Sequence, residues 1–181
     1  MGLPGSQRCV QELVDQHYPN LYRYAYRLTG SADDAADLTQ ETFCKAQRQL
    51  DQLREPARAK AWLFSILRNA YLHGARGGKQ RRQVPLDLVG DLPEALPEPL
   101  PEVEPERLQQ ALDELPETFR TPVILYYFDD FSYRDIAEQM ELPLGTVMSR
   151  LARAKGYLRN RLLQPEAAPL AEARRRATDG L

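Results

Sequence analysis

Between Val84 and Glu106 the chain carries seven acidic residues and six prolines but no lysine or arginine, and no other stretch constrains the fold so strongly. Proline lacks a backbone donor and its ring breaks a helix, while closely spaced carboxylates cannot be buried together unpaired. Residues 84–105 are therefore expected to form an extended, mobile, acidic Pro-rich linker with no core of its own. A linker in that position divides the 181 residues into two small bodies, 6–83 and 106–164, and leaves a tail, 165–181, to which no role is assigned.

Both bodies read as helical, so the expected fold class is all-α. In the first, Val10, Leu13, Val14, His17, Leu21, Tyr24 and Leu28 recur at helical steps, with an interruption expected near Pro19. Gly30 ends this helix and Ser31 opens the next, where Asp33 and Asp34 complement the positive end of the helix dipole. Ala35, Leu38, Thr39, Phe43, Ala46 and Leu50 form its apolar face. The opposite face, with Asp34, Asp37, Gln40, Glu41, Lys45 and Arg48, holds more charge than a small core can bury, so it is exposed for solubility or for a partner. Arg54, Glu55 and Pro56 mark a loop, and helicity returns near Arg58 through Trp62, Leu63, Ile66, Leu67, Ala70 and Tyr71. Here Trp62, Arg68, Asn69, Tyr71, His73, Arg76, Lys79, Arg81 and Arg82 combine cations suited to phosphates with flat side chains suited to unpaired bases. Trp62 serves equally well as a core residue.

In the second body, Leu108, Ala111, Leu112 and Leu115 keep helical spacing up to Pro116, and a new helix starts at Glu117 ahead of Val123, Ile124, Leu125, Tyr127 and Phe128. The stretch 132–158 then reads as two helices broken at Glu141-Leu142-Pro143, a helix-turn-helix. Ser132 can accept from a first-turn amide while Asp135 sits three residues on, a form of capping box. Ile136, Ala137 and Met140 face inward, and Pro143 biases Leu142 away from the α conformation. Gly145 and Thr146 open the second helix, whose Val147, Leu151, Ala154 and Leu158 form the inner stripe. Met148, Ser149, Ala152, Arg153 and Gly156 point elsewhere, flanked by Arg150 and Lys155. Small residues and cations on an outer face suit a DNA major groove, although an ordinary solvated amphipathic helix shows the same periodicity. The order Tyr-Arg-Asp-Ile-Ala, turn, Gly-Thr-Val, Ser-Arg-Leu favours the DNA-reading alternative.

A formal net charge of -2 argues at first against nucleic acid, but the charge is segregated. Cations gather at 76–82, 150–161 and 174–176, away from the acidic linker. No run of eighteen or more apolar residues exists and the first residues lack the pattern of a signal peptide, so a cytoplasmic protein without membrane insertion is expected. Cys9 and Cys44 lack CxxC spacing and read as plain thiols, and His17 and His73 lie far apart in sequence without neighbouring ligands. No metal, no cofactor and no catalytic constellation is expected.

In this order of motifs the chain resembles the extracytoplasmic-function group of bacterial RNA polymerase sigma factors over residues 10–163. Asp34-Ala35-Ala36-Asp37-Leu38-Thr39-Gln40-Glu41-Thr42-Phe43 is similar to the family's polymerase-binding helix. Ala61-Trp62-Leu63-Phe64-Ser65-Ile66-Leu67-Arg68-Asn69 is similar to its minus-ten-element helix, and 132–155 to its minus-thirty-five reader. The resemblance implies a protein that binds core RNA polymerase, directs it to a class of promoter DNA and helps separate the strands, without covalent chemistry of its own. It implies that Asp37, Gln40 and Glu41 contact the clamp helices of the largest polymerase subunit. Asn69 would line a pocket for a flipped-out base, with residues 49–58 as the other wall. Trp62 lies on that helix, and Arg68, Arg76, Lys79, Arg81 and Arg82 are expected on phosphates. Met148, Ser149, Ala152 and Arg153, with Thr146 at the helix start, would face the minus-thirty-five bases, while Arg150 and Lys155 grip the backbone. The acidic linker would run toward the RNA exit path. An anti-sigma protein that wedges between or wraps the two domains is the further partner expected.

Two positions depart from the family pattern. Met148 stands where Lys or Arg is common, which exchanges a charged contact for an apolar one, such as a thymine methyl. Glu141 stands where Gly is frequent, and a positive φ there would cost about 1 kcal/mol. The competing class is a stand-alone helix-turn-helix regulator whose N-terminal helices form a dimer or ligand domain, which would need a self-associating face and a palindromic site.

Overall fold

The computed structural model describes residues 5–75 and 103–163, with side chains from Val10 to Gly74 and from Val103 to Leu163. Arg76, Lys79, Arg81 and Arg82, the linker through residue 102 and the tail from residue 164 lie outside the described residues. The first body comprises α1 (Gly5–Thr29), α2 (Ala32–Arg48), short 3-10 turns at Leu50–Gln52 and Pro56–Arg58, and α3 (Ala59–Ala75). The second comprises α4 (Pro105–Glu114), α5 (Glu117–Tyr127), α6 (Tyr133–Met140) and α7 (Leu144–Leu163). Among the described residues there is no strand, and no helix is long and apolar enough to cross a membrane.

α2 follows its local signals. The Ser31 hydroxyl accepts from the Asp34 amide at 3.3 Å, and Gly30 reverses the chain with φ 61°. Ala35, Leu38, Thr39, Thr42, Phe43 and Ala46 are buried, and α2 packs by this stripe between α1 and α3. The Thr39 and Thr42 hydroxyls donate to the carbonyls of Ala35 and Leu38, each at 2.7 Å, so neither oxygen is buried unpaired.

The interruption expected at Pro19 does not occur: α1 runs unbroken from Gly5 to Thr29. A proline inside a helix costs about 3 kcal/mol, chiefly by stranding the carbonyl four residues back. That residue, Asp15, is exposed, as is Pro19, so the break falls on the solvent side, while Leu13, Leu21, Tyr24, Ala25 and Leu28 are buried along the other side. Burial of such side chains at about 1.5–3 kcal/mol each outweighs the break. Pro122 inside α5 is handled differently, because it is buried. The carbonyl it strands belongs to Thr118, and the Arg150 guanidinium of α7 donates to it at 3.5 Å.

The helix-turn-helix forms as its residues dictate. Ser132 Oγ accepts from the Asp135 amide at 3.2 Å and Asp135 accepts from the Ser132 amide at 3.0 Å, a complete capping box. At the other end Glu141 adopts the left-handed conformation, φ 54°, and the Leu142 amide returns to the Ala137 carbonyl at 2.9 Å. Val147, Leu151, Ala154, Leu158 and Leu162 are buried along α7.

The bodies do not stand apart. Ring contacts run from Tyr24 of α1 to Phe64 of α3, centroids 4.8 Å apart, and from Phe64 to Phe131 ahead of α6, 5.1 Å apart. Lys60 of α3 donates to the Asp129 carbonyl and lies 4.9 Å above the Phe131 ring. Gln109 of α4 donates to the Arg27 carbonyl of α1 at 3.1 Å. The apolar core is therefore continuous across both bodies.

Candidate nucleic-acid interface

Three surfaces carry the residues singled out in sequence. On α2, Asp37, Gln40 and Glu41 are exposed opposite the buried stripe, with Glu41 paired to Lys45 at 2.6 Å one turn on. A pair so open to water holds the helix by only about 0.3–0.5 kcal/mol, so the face is free to meet another surface.

On α3, Trp62 is half-buried, settling neither of its two readings by burial alone, and Asn69 is exposed. Both line a cleft of about 770 Å³, along with Ser65 and Arg68 of the same helix and residues of the 3-10 turns at 52–58. The remaining wall is α6 and its cap, with Asp135, Glu138 and Glu141. The loop residues at 52–58 line this cleft with Asn69, and α6 closes the same space. Arg68, expected on a phosphate, is held by Glu117 of α5 at 3.2 Å, with their side chains 15% and 18% exposed. Arg58 meets Glu138 at 2.5 Å, with both side chains more than half exposed. The shielded pair is the stronger constraint, because solvent screens the open one.

On α7, Met148 is 50% exposed, and Ser149, Ala152 and Lys155 share its exposure. Thr146 and Arg153 are half-buried, and the Thr146 carbonyl accepts from the Ser149 hydroxyl at 3.0 Å. Arg150 is half-buried and spends a guanidinium N–H on the Thr118 carbonyl, so part of its donor set supports α5. Cys44 is an exposed free thiol, and among the described residues no group of three or more His, Cys, Asp or Glu could hold a metal ion.

Sequence reasoning missed the side chains that join the bodies: Arg58, Lys60, Glu117, Arg120, Asp129 and Glu138. Arg120 is wholly buried, donating to the carbonyls of Leu115 at 2.9 Å, Leu28 at 2.8 Å and Asp113 at 3.3 Å. Its one sequence signal was a lone cation inside the apolar run Phe119–Leu125. Asp129 is nearly buried, and burial raises its carboxyl to about 6 although Lys60 and Arg27 pull the other way.

The described residues thus form two helical parts, and each part matches a known family. Residues 13–82 match Sigma-70 region 2 and residues 106–158 match Sigma-70, region 4. The chain is 38% identical over 156 residues to the ECF RNA polymerase sigma factor SigE of Mycolicibacterium smegmatis, covering 83% of this chain and 60% of that relative's length. It is 38% identical to EcfG of Rhodopseudomonas palustris, covering 77% of each chain. Among solved structures, the sigma factor RpoE in complex with the anti-sigma factor NepR from Bartonella quintana shares 27% identity with a TM-score of 0.68, covering 84% of this chain and 95% of that one. CnrH in complex with the cytosolic domain of CnrY shares 26% with a TM-score of 0.62, covering 85% and 87%. The chain belongs to the extracytoplasmic-function sigma factors of bacterial RNA polymerase.

Proposed function

We propose that this protein is an alternative sigma factor that binds core RNA polymerase, brings it to a class of promoters and takes part in strand separation, performing no covalent chemistry itself. The observation that carries the reading is the presence, in one chain and in family order, of an exposed acidic helix face, a Trp62–Asn69 cleft and an exposed Met148–Ala152 face. In this reading Asp37, Gln40 and Glu41 engage the polymerase clamp. Trp62, Arg68 and Asn69 handle the minus-ten strand, with Arg76, Lys79, Arg81 and Arg82 on its phosphates. Thr146, Met148, Ser149, Ala152 and Arg153 read the minus-thirty-five duplex, with Arg150 and Lys155 on its backbone. The working units are 6–83 and 106–164, joined through 84–105, and the protein acts in the cytoplasm.

An anti-sigma protein is the regulator this reading calls for, supported by the similarity to RpoE, solved in complex with the anti-sigma factor NepR. Run-off transcription with core polymerase on a fragmented genomic library tests the function. Sequenced start sites sharing two spaced elements support it. Start sites identical with and without the protein refute it.

A further inference from the structure

Most large apolar side chains of this protein are inside it, and the exceptions fall in a pattern. Tyr18, Tyr26 and Tyr127 are exposed, but each has a hydroxyl to offer water; the other exposed large hydrophobics among the described residues are Leu144, Met148 and Leu163. Leu163 closes α7, whereas Leu144 and Met148 stand one turn apart at its start, 43% and 50% exposed. The helix does not need them for its core, which takes Val147, Leu151, Ala154, Leu158 and Leu162. Gly145, between them, is a second departure of the same kind. Its backbone is helical, not left-handed, and a Cβ there would meet no atom within 4 Å. The fold would accept alanine, the better helix former, so the missing side chain points to something outside the chain that comes close.

Charge says what that is. α7 carries five Lys and Arg and no Asp or Glu over its whole length, which suits a polyanion rather than the apolar groove of another protein. It is also the second helix of a helix-turn-helix, whose N-terminal residues reach base edges in the major groove. The apolar group a base presents there is the thymine 5-methyl. Residues four apart on a helix are separated by about 6 Å along its axis and successive base pairs by about 3.4 Å, so the two side chains span neighbouring base pairs.

We propose that Leu144 and Met148 act together as an apolar reader of two thymine methyl groups on neighbouring base pairs of the minus-thirty-five element, with Gly145 letting the duplex approach closely enough for both to touch. Leu144 thereby joins the residues that determine specificity. Cytosine is rejected because its amino group would be stripped of water against side chains that offer no acceptor. The name of the element rests on the sigma-factor reading; the apolar pair, the bare glycine and the acid-free helix do not.

The test takes promoters recovered by run-off transcription and resynthesises them with deoxyuridine for thymidine in the upstream element alone. That exchange deletes the methyl groups and keeps every base-pairing hydrogen bond. The full-length wild type and Leu144→Ala/Met148→Ala, each with core polymerase, are compared on both duplexes by competition binding. Both side chains are exposed, so their truncation leaves the core intact. The wild type is expected to bind the uracil duplex about tenfold more weakly than the thymine duplex, and the double variant to distinguish them by less than about twofold. Gly145→Ala should melt no lower than the wild type and yet bind both duplexes about fivefold more weakly. An upstream element without thymines on neighbouring base pairs, or equal weakening by uracil in both proteins, overturns the proposal. So does indifference to uracil in both, which would assign the apolar pair to a protein partner, and so does undiminished binding by Gly145→Ala. Run-off transcription on ordinary DNA judges the sigma-factor reading separately. If start sites do not depend on the protein, the same uracil comparison is made on duplexes that the full chain alone selects from a random library.

Discussion

Arg120 of α5, wholly inside the protein, donates through Nη1 to the main-chain carbonyl of Leu28 in α1, 2.8 Å away and 92 residues earlier in the chain. The same guanidinium also serves the carbonyls of Leu115 and Asp113 and lies 3.6 Å from the Asp113 carboxylate. A planar group with five donors suits this cluster of acceptors in a way an ammonium does not.

Arg120→Ala is therefore expected to cost about 3–5 kcal/mol, because it strands buried carbonyls and opens a cavity. Arg120→Lys should recover only part of the loss, since it keeps the charge but not the fork. Urea denaturation of the full chain measures both. A loss below about 1 kcal/mol for the alanine variant would show that water replaces the side chain without penalty.

Asp129 makes stability depend on pH in the direction opposite to most carboxylates. Burial lifts its folded value to about 6 from an ordinary 3.8, so the folded chain holds this proton more tightly than the unfolded one. Its contribution is fully present below pH 3.8 and is lost as pH rises through about 6. Asp129→Asn should match the wild type near pH 4 and exceed it near pH 8, by at most about 3 kcal/mol. Denaturation midpoints at the two pH values decide the matter, and a constant offset would assign the effect to something other than this carboxyl.

Glu141 holds a left-handed backbone without being glycine. Glu141→Gly should stabilise the chain by roughly 0.5–1 kcal/mol, the relief of strain less the added freedom of the unfolded state. Asp130, with φ 56°, should gain less from the same change, because aspartate tolerates this region better. Thermal melting of the two variants side by side makes the comparison.

Asp37→Arg and Glu41→Arg reverse charge on an exposed face, so stability should change by no more than about 0.5 kcal/mol. Co-purification with core polymerase is expected to be lost in both. Undiminished recovery by folded variants would remove α2 from the polymerase contact.

Local signals sufficed for much of this protein. The stripe from Ala35 to Ala46, the caps at Ser31 and Ser132, the break after Met140 and the inner face of α7 were all legible, since each depends on residues within a few positions of one another. The motif order likewise pointed to the family. Pro19 shows where local signals failed: its cost is real, but the burial that outweighs it comes from helices the periodicity of α1 does not describe. Only the tertiary structure decided that the two bodies close on each other and that Arg68 faces Glu117 rather than open solvent. Those contacts join residues 49 to 92 positions apart, and a charge's partner at such separation is set by how whole helices pack, which no short window of sequence contains.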